Sequence, residues 1–351
     1  MNRSPRKILI IKLRAIGDVI MATPVIANLR SAFPAASIDF LTERPSAAIV
    51  EGNPDLNRVI VLDRAALKQQ KPTQRLQTYL RFIADLRQQS YDLVFDLFGN
   101  PRSALLTTLT RAPVRIGYRY RIRRFAYTCV VKPRGDRVHE VQTNLDALQA
   151  VNLPISSTDL RVVIDDASTS EITRYWQQNG LHIEKLVIGL NASGGWYTKR
   201  WPLHSFAQLG DRLHREYGAR ILLLWGPGER EDAENIQRLM STESVMAPAT
   251  TLKSLGALLQ RLNLLVSNDS GPMHLAAAMG TPVVGIYGPT NPRLQGPWGD
   301  KNEVVTKTGL DCLGCNGVTC RIETHDCMLA LSVDEVLVVV RKLIFKIQSD
   351  L

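Results

Sequence analysis

The stretch LLVSNDSGPMHLAAAMGTPVVGIYGPTNP, residues 264–292, contains the pattern that decides the fold. Its first apolar run predicts a strand, Pro272 begins a predicted helix, and PVVGIYG at 282–288 predicts a second strand. A strand, a helix and a strand at this spacing form a βαβ unit with parallel strands. This part of the chain is therefore expected to form a parallel sheet covered by helices.

The same alternation extends outward through the chain. Further predicted strands are KILIIKL at 7–13, SIDFLT at 37–42, YDLVFDLF at 91–98, LVIGLN at 186–191 and ARILLLW at 219–225. Because 351 residues exceed what one core usually organises, we predict an α/β protein with two doubly wound, Rossmann-like domains that face a cleft. The expected domains are residues 1–170 and 171–331, with a final helix over 332–351 that returns to the first domain.

Charge and composition restrict the classes of function. The net charge is +10, but residues 1–165 carry +11 and the rest of the chain −1, so the first half is expected to meet something anionic. The chain has no G-x-G-x-x-G, no G-x-x-x-x-G-K-[ST] and no G-x-S-x-G, which argues against a nicotinamide enzyme, a P-loop NTPase and an α/β-hydrolase. The apolar start is interrupted by charges before a signal-peptide core forms, so we expect a cytoplasmic protein.

Ligands of doubly wound sheets bind beyond the carboxyl ends of the strands, and polar residues follow several predicted strands. Gly17-Asp18 follows the first strand and opens a helix. Asp18 either caps that helix or acts as a general base toward a substrate hydroxyl.

The segment NASGGWYTKRWP, residues 191–202, follows the first strand of the second half. The small residues Ser193 and Gly194 leave backbone amides accessible to an anion, and Lys199 adds a positive charge. The alternative is a solvated loop that contains a lysine by chance.

Two further turns follow the strands of the 264–292 stretch. The first has Asp269, Ser270 and Gly271 at a helix start; the second has Tyr287, Gly288 and Thr290. Together they are typical of half of a nucleotide-binding site. His274 in the same helix is, taken alone, more typical of a packed histidine than of a catalyst.

These segments together resemble glycosyltransferase family 9, the ADP-heptose:lipopolysaccharide heptosyltransferases of Gram-negative bacteria. The matching pieces are KILIIKLRAIGDVIMATPVIANLR, DLVFDLFGNPRSALL with RIGY, NASGGWYTKRWP, LLLWGPGERED and SNDSGPMHLAAAMGTPVVGIYGPTNP, in the family's order over almost the whole chain. The resemblance implies the GT-B fold, with the acceptor on the N-terminal domain and the nucleotide sugar on the C-terminal domain. It also implies inverting transfer of heptose from ADP-L-glycero-β-D-manno-heptose to the inner core of lipopolysaccharide, without a required cofactor. A different nucleotide sugar is the enzymatic alternative.

The resemblance assigns roles to individual residues. Asp18 matches the family's catalytic base, and Lys199 matches the lysine near the donor phosphates. Asp269 matches the aspartate that contacts the donor heptose, and Glu229 matches an acidic residue near the ribose. The other implied donor-binding residues are Ser193, Gly194, Ser270, Gly271, His274, Tyr287, Gly288 and Thr290.

The tract RAPVRIGYRYRIRRFAY, residues 111–127, interleaves arginines with aromatic residues. Such a tract can bind RNA, which gives a hypothesis of a different class, or it can be a solvated edge. With the family in view, an anionic acceptor is favoured and no nucleic acid is expected: phosphorylated Kdo-lipid A and inner core, at the cytoplasmic face of the inner membrane. The expected acceptor-binding residues are Asn100, Arg102, Arg119, Arg121, Arg123 and Arg124.

Four of the five cysteines, Cys312, Cys315, Cys320 and Cys327, lie within 16 positions. Thiolates at this density can bind a structural zinc or iron ion. Reduced packing cysteines and a disulfide are the alternatives. Cys129 is expected to be a buried packing residue.

Overall fold

The computed structural model describes residues 4–119, 125–135, 137–181 and 186–349. The chain divides into two compact units, Met1–Val163 and Ile164–Leu351. Each unit contains one six-stranded sheet, and every strand pair in both sheets is parallel. The predicted α/β architecture with two doubly wound sheets is confirmed.

The first sheet has the strand order β3-β2-β1-β4-β5-β6. Its unit comprises β1 (Lys7–Ile11), α1 (Ile16–Ala32), β2 (Ser37–Glu43), α2 (Arg44–Val50), β3 (Arg58–Leu62), α3 (Arg64–Gln69), α4 (Pro72–Gln88), β4 (Leu93–Asp96), α5 (Pro101–Leu109), β5 (Val114–Tyr118), β6 (Cys129–Val131) and α6 (Glu140–Gln149). The central strands β1 and β4 are almost fully buried, since helices cover both faces of a parallel sheet and leave no solvated side. The order reverses between β1 and β4, and this switch point is where ligands of such sheets bind.

The second sheet has the order β12-β11-β10-β7-β8-β9. Its unit comprises α7 (Asp166–Gln178), β7 (Val187–Asn191), a 3₁₀ helix (Tyr197–Lys199), α8 (Leu203–Tyr217), β8 (Arg220–Leu224), α9 (Arg230–Leu239), β9 (Ser244–Met246), α10 (Leu252–Leu259), β10 (Leu264–Asn268), α11 (Gly271–Ala278), β11 (Val283–Tyr287), α12 (Pro292–Gln295), β12 (Glu303–Thr306), α13 (Asp326–Leu329) and α14 (Val333–Ser349). Its switch point lies between β7 and β10, which are equivalent to β1 and β4 of the first sheet.

The boundary and the last helix differ from the sequence prediction. The boundary at 163/164 places α7 in the second unit, where it packs on α10, so it precedes the predicted 170/171. Helix α14, which was expected to return to the first domain, belongs to the second unit and contacts β11, β12 and α8. The physical reason is its apolar face: Val336, Val340 and Leu343 are buried in the same core as Trp201.

No helix in the described part of the chain is both long and apolar enough to span a membrane.

Candidate active site

A set of buried side-chain hydrogen bonds crosses the switch point of the second sheet, and we call it the polar seam. Asn191 ends β7, and its Nδ2 donates to Ser267 Oγ at 2.8 Å and to Ser270 Oγ at 3.0 Å. Asn268 ends β10, and its Nδ2 donates to the carbonyl of Ala192 at 2.8 Å. These bonds fix the loops that follow β7 and β10 against each other, because each amide is buried and crosses from one strand to the next.

Three side chains converge beside this seam, and we call Lys199, Asp269 and Thr290 the Asp269 cluster. Lys199 Nζ lies 2.7 Å from Asp269 Oδ2, and Thr290 Oγ1 donates to the same oxygen at 2.7 Å. The three residues come from the turns after β7, β10 and β11, which are distant in sequence and adjacent in the sheet. The side chains of Lys199 and Asp269 are 15% and 6% exposed, so the ion pair is well shielded from water.

The positive end of α11 lies in the same region. Ser270 precedes the helix with extended backbone, Pro272 lies in its first turn, and no side-chain cap is formed there among the described residues. The first amides of a helix have no intrahelical partners and attract anions. His274 is 5% exposed in this helix, as the packing interpretation predicts.

Glu229 occupies another part of the site, together with Ser193 and Arg200. Ser193 Oγ donates to Glu229 Oε2 at 2.6 Å, and Arg200 Nη2 lies 3.7 Å from Glu229 Oε1. Arg200 Nε also donates to the carbonyl of Gly194 at 2.9 Å. Arg200 therefore holds the predicted small-residue loop and Glu229 together. Sequence analysis missed it, although it adjoins Lys199 in the motif KRWP.

Two predicted donor-binding residues, Tyr287 and Gly288, are closely packed against the core. Tyr287 is fully buried and donates to the carbonyl of Gln295 at 2.6 Å; its burial, with the Asp269 carboxylate as a smaller cause, raises its pKa well above the ordinary value. A Cβ at Gly288 would lie 2.7 Å from Met328 Sδ and 2.8 Å from Cys327 Sγ. Both positions serve the fit of β11 and its turn into the core, because neighbouring side chains occupy the space around them.

In the first unit, Asp18 lies in the first turn of α1, beside the switch point. Its Oδ2 accepts from the backbone N–H of Ala15 at 2.9 Å. The structure thus contains the capping contact that one of the two interpretations of Asp18 predicts. The side chain is half-buried. Capping through one carboxylate oxygen is compatible with proton transfer, since a general base needs only reach to the substrate hydroxyl.

A buried lysine lies close to Asp18. Lys12 follows β1 directly, is 3% exposed, and donates from Nζ to Glu140 Oε1 at 2.7 Å, to the carbonyl of Leu97 at 2.9 Å and to Asn144 Oδ1 at 3.3 Å. Burial lowers the pKa of Lys12, but Glu140 and Asp18 outweigh it and the net pKa is raised. The first site thus contains a permanently charged cation. Sequence analysis missed it; the signal was a lysine within the otherwise apolar run KILIIKL.

Asp96, at the end of β4, is the other buried carboxyl group here. It is fully buried, accepts from Gly99 N at 2.9 Å and from Tyr127 Oη at 2.7 Å, and its pKa is raised because burial outweighs these hydrogen bonds. The buried carboxyl group of Asp96 therefore fixes the loop after β4 from its core side.

The predicted acceptor-binding residues lie at the carboxyl edge of the first sheet where they are described. Asn100 caps α5 by accepting from Ser103 N at 2.8 Å, and Arg102 Nη1 lies 3.4 Å from Glu43 Oε1. Arg119 follows β5 and is exposed. The predicted residues Arg121, Arg123 and Arg124 lie outside the described residues.

The aromatic residues of the basic tract bear on the nucleic-acid hypothesis. Tyr118 and Tyr127 are 3% and 7% exposed, and their hydroxyls donate to the carbonyl of Thr143 and to Asp96. Rings buried in this way cannot stack on bases, whereas Phe125 is exposed. Among its described residues, the tract therefore offers only Phe125 as exposed aromatic surface of the kind on which that hypothesis depends.

The four clustered cysteines lie around and within the segment between β12 and α13. Cys327 is buried against Gly288, and its burial, followed by the neighbouring thiols, raises its pKa to about 11, whereas Cys315 is exposed. Among the described residues, no group of three or more His, Cys, Asp or Glu is arranged to hold a metal ion. The structural zinc or iron ion expected at Cys312, Cys315, Cys320 and Cys327 therefore stays a prediction, although the first three thiols all act on the pKa of Cys327. Cys129, expected to be buried, is half-buried.

Two doubly wound domains, each with polar side chains at its switch point, define the class as an α/β protein of the GT-B type. A solved structure of a family 9 glycosyl transferase from Veillonella parvula matches with a TM-score of 0.84 at 24% identity, covering 97% of each chain. A solved heptosyltransferase II from E. coli matches with a TM-score of 0.75 at 23% identity, over 97% of this chain and 99% of that one.

The family follows from the sequence itself. The model of glycosyltransferase family 9 (heptosyltransferase) matches residues 79–325, and the chain belongs to this family. It is 28% identical over 317 residues to lipopolysaccharide heptosyltransferase 3 of Escherichia coli, covering 85% of this chain and 91% of the relative. The protein is a glycosyltransferase, as the resemblance implied.

Proposed function

We propose that this glycosyltransferase transfers heptose from ADP-heptose, ADP-L-glycero-β-D-manno-heptose, to the inner core of lipopolysaccharide, with inversion at the anomeric carbon. The family and the lipopolysaccharide heptosyltransferase to which the chain is similar support this activity. The observation that carries it within the molecule is the Asp269 cluster, in which one lysine and one hydroxyl meet a carboxylate at the switch point beside the N-terminus of α11.

On the donor side, Lys199 supplies the charge that the departing ADP requires. The donor sugar's hydroxyls bind at Asp269, and the diphosphate accepts from Lys199 and from the first amides of α11. As the bond between the anomeric carbon and the phosphate oxygen breaks, negative charge grows on that oxygen, and preorganised cations and amides stabilise it. Glu229, held by Ser193 and Arg200, binds the ribose.

On the acceptor side, Asp18 acts as the general base. It takes the proton of the attacking acceptor hydroxyl while that oxygen forms its bond to the anomeric carbon, on the face opposite the departing ADP. One bond forms and one breaks in a single displacement, so the configuration inverts. The buried ammonium of Lys12 interacts with Asp18 and so favours the ionised carboxylate.

The basic first half fits an anionic acceptor. We propose that Arg119, with Arg102, Asn100 and the arginines at 121, 123 and 124, binds the phosphorylated Kdo-lipid A inner core. The +11 charge of residues 1–165 also attracts an anionic lipid surface, which supports a peripheral location on the cytoplasmic face of the inner membrane. Transfer is proposed to need no cofactor, since Lys199 and backbone amides supply the required charge.

The deciding experiment incubates the protein with ADP-heptose and a panel of truncated core acceptors and measures released ADP together with the mass of the glycolipid product. We expect ADP release that depends on the acceptor and adds one heptose. UDP- and GDP-sugars serve as competing donors. Transfer from one of them in preference to ADP-heptose, or binding to RNA with no response to any core acceptor, would contradict the proposal.

A further inference from the structure

The segment Gly314–His325, between β12 and α13, touches two of the three turns that form the Asp269 cluster, and we call it the bracing segment. Gly314 N donates to the carbonyl of Gly288 at 3.1 Å, and Asn316 N donates to that of Pro289 at 2.6 Å. These two bonds anchor the segment to the turn that carries Thr290.

The same segment also holds the turn that carries Lys199. Thr198 Oγ1 donates to the carbonyl of Gly317 at 2.8 Å, across 119 positions of sequence. The imidazole of His325 forms a 2.8 Å hydrogen bond to the carbonyl of Thr198, across 127 positions. One segment thus ties together the two turns whose side chains both lie 2.7 Å from Asp269 Oδ2.

His325 is the central residue of this brace. A carbonyl oxygen can only accept, so Nε2 of His325 carries the hydrogen and donates it. The residue is 6% exposed, and its Nδ1 has no hydrogen-bond partner within the described ranges. Its ring also lies 5.3 Å from the ring of Tyr197, so it contacts two of the three residues of the 3₁₀ helix Tyr197–Lys199.

The backbone of His325 adopts a conformation that is uncommon for a residue with a Cβ. Its φ is +53°, in the left-handed region. A residue with a Cβ in that conformation costs roughly 1–2 kcal/mol, which glycine avoids.

We propose that His325 is a positioning residue that acts through Thr198 to hold Lys199 at Asp269 and, resting on the proposed function, at the diphosphate of the nucleotide sugar. Without its hydrogen bond, Thr198 loses one of the two long-range hydrogen bonds that it makes among the described residues, and the ammonium of Lys199 spends less time at Asp269. A misplacement of about 1 Å in a charged group can reduce a rate by roughly 100-fold, so a small displacement here has a measurable effect.

The first test measures the reactivity of the Lys199 amine and does not depend on substrate. The unmodified protein and the variants are treated with an amine-acetylating reagent, and acetylation of Lys199 is followed by peptide mass spectrometry relative to exposed Lys301. His325→Leu is expected to raise the acetylation rate of Lys199 severalfold, and His325→Gln, which keeps an N–H donor, to remain close to the unmodified protein. Thr198→Val, which removes only the hydroxyl bond to Gly317, gives a second, milder variant should His325→Leu not fold.

His214 provides a matched control, because its imidazole also bonds a backbone carbonyl, that of Ala219 at 3.1 Å, in the same unit. His214→Leu is expected to leave the reactivity of Lys199 unchanged. Any of three results would overturn the proposal. The first is an equal increase in the reactivity of Lys199 in the His214 and His325 variants. The second is no increase in either His325→Leu or Thr198→Val, and the third is a glutamine variant as reactive as the leucine variant.

The second test is a double-mutant cycle on heptose transfer. His325→Leu should lower kcat by about 10-fold or more with a smaller change in donor KM, because the lysine acts on the departing group. In a Lys199→Met background the same substitution should cause no further loss, since coupled residues are not additive. Independent, additive losses would overturn the proposal. Absence of transfer by the unmodified protein would refute the proposed function instead, and the acetylation experiment would still decide the role of His325.

Discussion

The two switch points both contain a lysine near carboxylates, and the difference between the two lysines separates their roles. Lys12 is 3% exposed and donates to three oxygen atoms, so it has no capacity left for a ligand. Lys199 is 15% exposed, pairs with one carboxylate within the described ranges and lies 4.5 Å from the ring centre of Trp196. A cation with a single carboxylate partner can exchange that contact for a phosphate. The comparison therefore supports the proposal that Lys199 binds the donor, whereas Lys12 acts only through its electric field.

The largest effect is expected at the base. Asp18→Asn should lower kcat roughly 10³-fold, because an amide cannot accept the acceptor's proton. ADP release under saturating substrates measures it. Asp63→Asn is the matched control, since Asp63 also caps a helix, by accepting from Ala66 N at 3.0 Å, and lies outside the site. Normal turnover of Asp18→Asn would remove Asp18 from the mechanism.

The next effect concerns stability. Lys12→Met should reduce the free energy of unfolding by about 3 kcal/mol, because Glu140 loses its partner inside the protein. Urea denaturation followed by circular dichroism measures it. Exposed Lys68 gives the control: Lys68→Met should change stability by less than about 0.5 kcal/mol. If Lys12→Met were as mild as the control, the buried ion pair would not stabilise the first unit.

Lys199→Met should lower kcat about 100-fold, because the departing ADP loses its nearest cation. Lys307→Met is a suitable control, since Lys307 lies in the same unit and pairs with a different carboxylate, Glu335, at 3.1 Å. Unchanged kcat in the Lys199 variant would mean that backbone amides alone stabilise the departing group.

The smallest effect is a pH dependence of stability. The pKa of Glu140 is lowered, because the attraction of Lys12 outweighs the effect of burial. A lowered carboxyl pKa contributes stability above the unfolded value of ~4.3 that is lost as the pH falls through the folded value. Glu140→Gln should therefore flatten the dependence of unfolding free energy on pH below about pH 4.3, by about 1 kcal/mol. A dependence identical to that of the unmodified protein would contradict this assignment.

The sequence predicted the sheets well because their strands are continuous apolar runs. It was less accurate where an element is short or its role depends on packing. KILIIKL reads as one strand to residue 13, whereas β1 ends at Ile11, which places Lys12 at the carboxyl edge of the sheet. The motif around Tyr287-Gly288 was recognised, but its role in packing against Met328 depends on side chains 40 positions away.

The cluster residues Lys199, Asp269 and Thr290 were each predicted as site residues, since each follows a strand. Their shared contact was not predictable in detail, because turn geometry sets it. The bracing segment had no signal of this role: Thr198 and Gly317 are separated by 119 positions, and no local pattern joins them. The cysteines in and around that segment predicted a metal site instead, and no such site is arranged among the described residues.

The most direct test of the division between the two sites is the affinity for ADP, measured by titration calorimetry on Asp18→Asn and Lys199→Met in parallel. The account predicts that Asp18→Asn binds ADP as the unmodified protein does, because Asp18 acts on the acceptor. It predicts that Lys199→Met binds ADP about 10-fold more weakly, the usual scale of one charged hydrogen bond. Unchanged binding in Lys199→Met together with weakened binding in Asp18→Asn would contradict it.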